Sequence, residues 1–107
     1  MLLRLHPEAT AELASTAEWY ERQQSGLGPV FSSAVFRALD TLQASPDTWP
    51  EWPRLSHTPP IRRFLLPDFP FALPYVVLED GVVVLAVTHV RRRPGYWLKR
   101  AHRLRTS

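Results

Sequence analysis

The sequence predicts an α+β domain in the order β-α-α-β-β-β, with a helical hairpin packed on one face of an antiparallel sheet. Three observations carry that reading. Apolar residues recur at helical spacing between residues 7 and 44. After residue 60 the apolar runs are short and rich in valine, leucine and aromatic side chains. Between these regimes lies a segment, 45–60, holding five prolines.

The elements follow in order. Leu2–Leu5 is short and apolar and is read as a first strand. His6-Pro7-Glu8 is a helix start, because proline suits the first helical position and Glu8 and Glu12 complement the positive end of the dipole. Ala9, Leu13, Ala17 and Tyr20 give this helix one apolar face. It is expected to end near Gln24, with Gly26 as a left-handed cap. Leu27-Gly28-Pro29 restarts the chain, and Leu27, Phe31, Ala34, Val35, Ala38 and Leu42 mark a second stripe running to about Ala44. Ser45-Pro46 stops it. The two helices make an antiparallel αα-hairpin.

Residues 45–60 cannot form regular structure with so many prolines. Their tryptophans, Trp49 and Trp52, either lid the core or leave one ring for a partner. Ile61–Leu66 and Phe71–Glu79 are strands, and Glu79-Asp80-Gly81 is a hairpin signal before the last strand. That last strand, Val82 to Val90, is apolar except for Thr88 and His89. Pro74 removes a ladder hydrogen bond from the middle strand, so a bulge or local break is expected there. The chain is therefore expected to be a single domain over 1–107: strand and helical hairpin (1–44), proline-rich loop (45–60), three-stranded meander (61–97) and a basic tail (98–107), frayed or at most one helical turn.

Composition narrows the function. With no cysteine there are no disulfides and no thiolate chemistry. No signal peptide or membrane span is legible, so a cytoplasmic protein is expected. The net charge of +3 conceals an asymmetry. Residues 1–53 carry three arginines against seven acids, a net of −4. Residues 54–107 carry ten bases against Asp68, Glu79 and Asp80, a net of +7. All but Lys99 of the thirteen cations are arginine, the better fork for phosphate and carboxylate and a side chain that does not give up its proton.

The basic half ends in a cluster. The last strand delivers Arg91, Arg92 and Arg93 to its rim, followed by Pro94, Gly95, Tyr96 and Trp97. Arg62 and Arg63 sit on the strand after the loop and point to opposite faces. One reading is a solvated rim paired with the acidic helices. The other is a phosphate- or carboxylate-binding patch of Arg62, Arg63, Arg91, Arg92 and Arg93, with Tyr96 and Trp97 available for stacking. The histidines are scattered and no nucleophile-plus-base pattern occurs, so neither a metal nor a cofactor is expected. His89 is read as bonding locally.

HPEA, WYE, GLG, IRRFLLPDFPF, the EDG hairpin and VLAVTHVRRRPGYW together resemble the RelE/ParE superfamily of toxins from bacterial type II toxin–antitoxin pairs, and most of all its ParE-like branch. The resemblance runs from His6 to Trp97 and implies the same element order. It implies a toxin neutralised by a cognate antitoxin, whose C-terminal segment would lie across the helical hairpin or along a sheet edge. In ParE-like members it implies inhibition of DNA gyrase with no active site. In RelE-like members it implies ribosome-dependent mRNA cleavage. There Arg62 or Arg63 and one of Arg91–Arg93 would stabilise the phosphorane, and Tyr96 would act as base or stacking residue. The lysines such enzymes use have no counterpart here; that region offers Arg54 and His57. A third possibility is a non-toxic basic module that binds nucleic acid.

Overall fold

The computed structural model describes residues 2–104. Its elements are β1 (Leu2–Leu5), α1 (Pro7–Gln23), α2 (Leu27–Ala44), β2 (Ile61–Leu65), β3 (Phe71–Leu78), β4 (Gly81–Val84), β5 (Thr88–His89) and α3 (Leu98–Leu104). The predicted order holds, with a short extra strand and a third helix added to it. The sheet order is β1-β4-β3-β2, and β5 pairs with the start of β3. β2, β3 and β4 form the antiparallel meander, while β1 runs parallel to β4.

Local chemistry sets the ends of the helices. His6 caps α1, its Nδ1 accepting the Glu8 N–H at 3.1 Å, with Pro7 at the first helical position. The hairpin is closed by Glu21, whose carboxylate accepts the Gly26 N–H at 3.0 Å and the Gly28 N–H at 2.9 Å. Gly26 takes the left-handed conformation (φ 90°) and opens α2. Gly28 is needed for close helix contact, since a Cβ there would sit 2.8 Å from the Ala17 carbonyl oxygen.

Two cores lie on opposite faces of the sheet. On the first, α1 and α2 bury Leu13, Phe31, Val35 and Leu42 against Phe64, Leu73, Tyr75, Val82 and Val84. Trp49 closes its edge, its ring 4.7 Å from Phe64. On the second, Ile61, Val76, Val83, Leu85 and Ala86 pack against Trp97 and Ala101. Trp52 meets Trp97 at 4.9 Å there, and His57 of the loop stacks flat on His102 of α3 at 5.2 Å. The two tryptophans therefore lid one core each. The proline loop also borders β2: Pro50 accepts the Arg63 N–H at 2.8 Å and Ile61 accepts the Trp52 N–H at 2.7 Å.

The second core corrects two expectations. Residues 98–104 are not a frayed tail but helix α3, because Trp97, Ala101 and the Leu98 side chain have an apolar sheet face to cover. Residues 105–107 lie outside the described residues. The last strand is likewise not continuous from Val82 to Val90. Between the pairs Tyr75↔Val84 and Ala72↔Thr88, three residues (Leu85, Ala86 and Val87) oppose two, Leu73 and Pro74. β3 runs unbroken through Pro74, whose carbonyl accepts the Leu85 N–H at 2.8 Å. Pro74 has no N–H to return on that side, so the irregularity it causes falls in the neighbouring strand as a bulge. Leu85 and Ala86 both face the second core, while Val87 returns to the first.

Candidate anion-binding surface

The bulge exposes backbone groups that a charged network then uses. Glu12 of α1 accepts the Val87 N–H at 3.0 Å and the Tyr96 hydroxyl at 2.8 Å. Arg100 of α3 grips the same carboxylate with both terminal nitrogens, at 2.9 and 3.0 Å, and donates to the Leu85 carbonyl at 2.8 Å. Glu8 adds a contact at 3.3 Å to the Arg100 Nε. Burial alone would pull the Arg100 pKa down; hydrogen bonding and charge from Glu12 outweigh it and hold the guanidinium above its ordinary value. Glu12, expected only to complement the helix dipole, instead fastens α1 to α3 and to the bulge.

This anchor fixes Tyr96 and the arginine turn. The Arg92 guanidinium lies 3.7 Å from the centre of the Tyr96 ring, a close cation–π contact. Arg92 and Arg93 line a shallow depression with Tyr96 and Leu98. A second depression, about 400 Å³ in volume, lies beside it and is lined by Trp52, Arg54, Arg63, Val90 and Arg92. Arg63 also stands over the Trp52 ring at 5.6 Å. Arg63, Arg92, Arg93 and Tyr96 thus share one region of the surface, with Arg54 added to them.

Three of the expected site residues are placed differently. Arg62 projects to the opposite face from Arg63, where its Nη1 donates to the Trp49 carbonyl at 2.7 Å and holds the loop. Trp97 is wholly buried beneath α3 and cannot stack on a ligand; its apolar ring fills the second core. Arg91 is exposed in the turn, its N–H donating to His89 Nδ1 at 3.0 Å. That bond, with the edge contact of His89 on Phe71 at 5.2 Å, gives the histidine the local role expected of it.

The chemistry available to this surface is electrostatic. Burial pushes the Tyr96 hydroxyl above its ordinary pKa; Thr88 pulls it down and Glu12 pushes it up again. A phenol that already donates to a carboxylate and ionises late is poorly placed to take a proton from a substrate. Arginine cannot take one at all. Among the described residues there is no group of three or more histidine, aspartate or glutamate side chains able to hold a metal ion. No helix among them is long and apolar enough to cross a membrane.

Sequence reasoning missed Glu12, Arg100 and Arg54. The spacing of Glu8 and Glu12 on one helix face was visible, but their partner lies 88 residues away from Glu12 in the chain. Arg54 was noted only as what stands in the region where the resemblance would place the ribonuclease lysines.

The fold has a solved relative. A chain from a structure described as the chromosomal ParDE TA system from P. aeruginosa superposes with a TM-score of 0.69 at 21% identity, covering 83% of this chain and 95% of that one. No curated protein matches the sequence. The family model described as "ParE toxin of type II toxin-antitoxin system, parDE" matches residues 3–94, from β1 to the end of the arginine turn. The chain belongs to the ParE toxin family of type II toxin–antitoxin systems.

Proposed function

We propose that this protein is the toxin of a toxin–antitoxin pair, held inactive by a cognate antitoxin, and that it arrests growth in the cytoplasm by inhibiting DNA gyrase without catalysing a reaction. The observation that carries the mechanism is the character of the basic face. Arg54, Arg63 and Arg92 converge there, and the Tyr96 hydroxyl of the neighbouring depression is tied to Glu12. Such a surface binds anions and polarises them but has nothing to remove a proton from a ribose hydroxyl. The alternative of ribosome-dependent mRNA cleavage needs that step. Family membership and the ParDE title of the structural relative support an antitoxin partner.

Inducing the gene alone is expected to arrest growth, change plasmid supercoiling and leave DNA breaks; co-expression of the antitoxin should restore growth. Codon-specific mRNA cleavage with normal supercoiling would replace this reading by the ribonuclease one. Salt-sensitive binding to duplex DNA without growth arrest would leave only a basic binding module. Replacing Arg91, Arg92 and Arg93 together by alanine should abolish toxicity while the thermal melt stays close to wild type. Undiminished killing would remove these arginines from the target-contacting surface.

A further inference from the structure

We propose that His89 is a positioning residue for the arginine turn and makes it acid-sensitive: the neutral imidazole holds Arg91 in place for the target, and protonation of the ring lets Arg91 go. The proposal rests on reading the basic face as the target-contacting surface and adds a control on it.

Two arginine N–H groups open the turn after β5, and His89 takes both. Its carbonyl accepts the Arg92 N–H at 3.0 Å, and its ring Nδ1 accepts the Arg91 N–H at 3.0 Å. The histidine is itself held from behind. It pairs with Phe71 across the β3–β5 ladder, its ring lies edge-on to that of Phe71 at 5.2 Å, and the Val90 N–H after it is donated to Pro70 at 2.9 Å. Arg92 has a second anchor in the Tyr96 ring, 3.7 Å away. Arg91 is exposed, and the imidazole is what fixes its N–H.

That bond dictates the state of the ring. A nitrogen that accepts an N–H carries no proton, so the neutral ring bears its hydrogen on Nε2. A second proton puts a donor on Nδ1 facing the Arg91 donor, and the bond cannot survive it. It also adds a positive charge to a turn that already carries Arg91, Arg92 and Arg93. The cleft that His89 lines is otherwise formed by Ser15, Thr16, Trp19 and Tyr20 of α1, Pro70 of the β2–β3 turn and Phe71 of β3. Tyr20 is the titratable group among them, and burial pushes its hydroxyl above the ordinary value. No carboxylate lines this cleft to receive the new charge. On α1, Glu12 is taken by Arg100 and Tyr96 and Glu18 by Arg22, and Asp68 of the β2–β3 turn is not among the lining residues.

The effect of the proton is confined to the head of the turn. The β5 pairing, the bond from Arg92 to the His89 carbonyl and the Arg92–Tyr96 contact do not involve Nδ1, so they outlast it. Acid therefore frees Arg91 and leaves the fold and Arg92 where they are. Histidine changes charge between about pH 5 and pH 8, so this control operates close to neutrality.

The test is NMR of the isotope-labelled full-length protein across that pH range, with gyrase inhibition measured near neutral pH. At the neutral end His89 Nδ1 should resonate as an unprotonated acceptor. On acidification the Arg91 amide should shift along the His89 titration curve, while the signals of β3 and Tyr96 stay in place. H89N keeps an acceptor in its Oδ1 that does not titrate, so its Arg91 amide should be flat with pH and its inhibition within about 2-fold of wild type. H89F fills the space against Phe71 without an acceptor. It should weaken inhibition roughly 5- to 10-fold, the worth of one hydrogen bond, with the thermal melt close to wild type. R91A should weaken it to a similar degree, and H89F added to R91A should cost little more, because the histidine acts through the arginine. The proposal is overturned if the Arg91 amide ignores the His89 titration, if H89N is as weak as H89F, or if H89F costs as much in R91A as in wild type. Wild-type protein that does not inhibit gyrase removes the proposed target. The same variants are then compared by growth arrest on induction, and the NMR titration decides the hold on Arg91 independently of any target.

Discussion

The two faces of the sheet are covered by different means. On one, α1 and α2 lay regular apolar stripes over Phe64, Leu73, Tyr75 and Val84. On the other, a proline loop and the seven-residue α3 cover Val76, Val83 and Leu85, and an ion pair fastens that cover down. The first face draws its stability from area removed from water. The second has less area and depends on Arg100, which is buried and lies between Glu8 and Glu12. A short helix holds little structure by itself, so it must be pinned. The pinned face is also the one that carries the arginines, so the geometry of the candidate site depends on a charge pair and not on the larger core.

The largest expected effect comes from cutting that pin. Glu12→Ala strands the buried Arg100 and frees the Val87 N–H and Tyr96 hydroxyl, and should cost about 3 kcal/mol by denaturant melt. Hydrogen exchange should rise first in α3 and the arginine turn, with α2 still protected. Adding Arg100→Met to that variant should recover much of the loss, because an apolar side chain needs no carboxylate. Equal loss of protection in α2 would show that the two faces stand or fall together.

Next comes a probe of the first face alone. Tyr75 lies fully buried, donates to the Pro46 carbonyl at 2.6 Å, and is pushed by burial up to about 12. Its folded pKa is raised, so its contribution is complete below the ordinary value of about 10 and is lost as pH climbs towards the folded one. Stability should fall by the order of 2 kcal/mol across that window, and Tyr75→Phe should flatten the alkaline limb of a pH–melt series. An unchanged limb would count against the hydroxyl's role in holding the loop.

The smallest effect is at the seam. Burial lowers the His6 pKa; Glu8 raises it in part, Arg100 and Arg103 push it down again, and Glu12 raises it slightly. The folded chain therefore takes up the proton later than the unfolded one. Stability should drop as pH falls through about 6.5, by under about 1 kcal/mol, as protonation of Nδ1 removes the acceptor for the Glu8 N–H. His6→Asn keeps a capping oxygen and should abolish the acid dependence in a urea titration.

Legibility divided along the same line. The spacing of Ala9, Leu13, Phe31, Val35 and Leu42 reports the first face directly, because a helix repeats every few residues. The meander was readable from its turns, although Leu78 pairs with Gly81, so the hairpin turns on Glu79 and Asp80 themselves. Gly81 is needed there because a Cβ would collide with the Leu2 carbonyl of β1. The second face had no such period. Trp97 read as a stacking residue and Ala101 as part of a charged tail until an apolar sheet surface is placed opposite them. The pairing of Arg100 with Glu12, and the meeting of Arg54 with Arg63 and Arg92, are contacts between distant segments that spacing does not encode.

Pro74 gives the bulge a consequence for how this chain can vary. In an unslipped ladder alternate residues keep the same side, yet Val82 and Val84 share their side with Val87 and His89. One supernumerary residue has reversed odd and even. Trim a single position from Leu85–Val87 and every side chain beyond it changes sides, with the guanidinium turn leaving the sheet from the wrong flank. The composition would be almost untouched, but the face presented to a target would be rebuilt, so length in this three-residue stretch matters more to the molecule than the identity of any one residue within it.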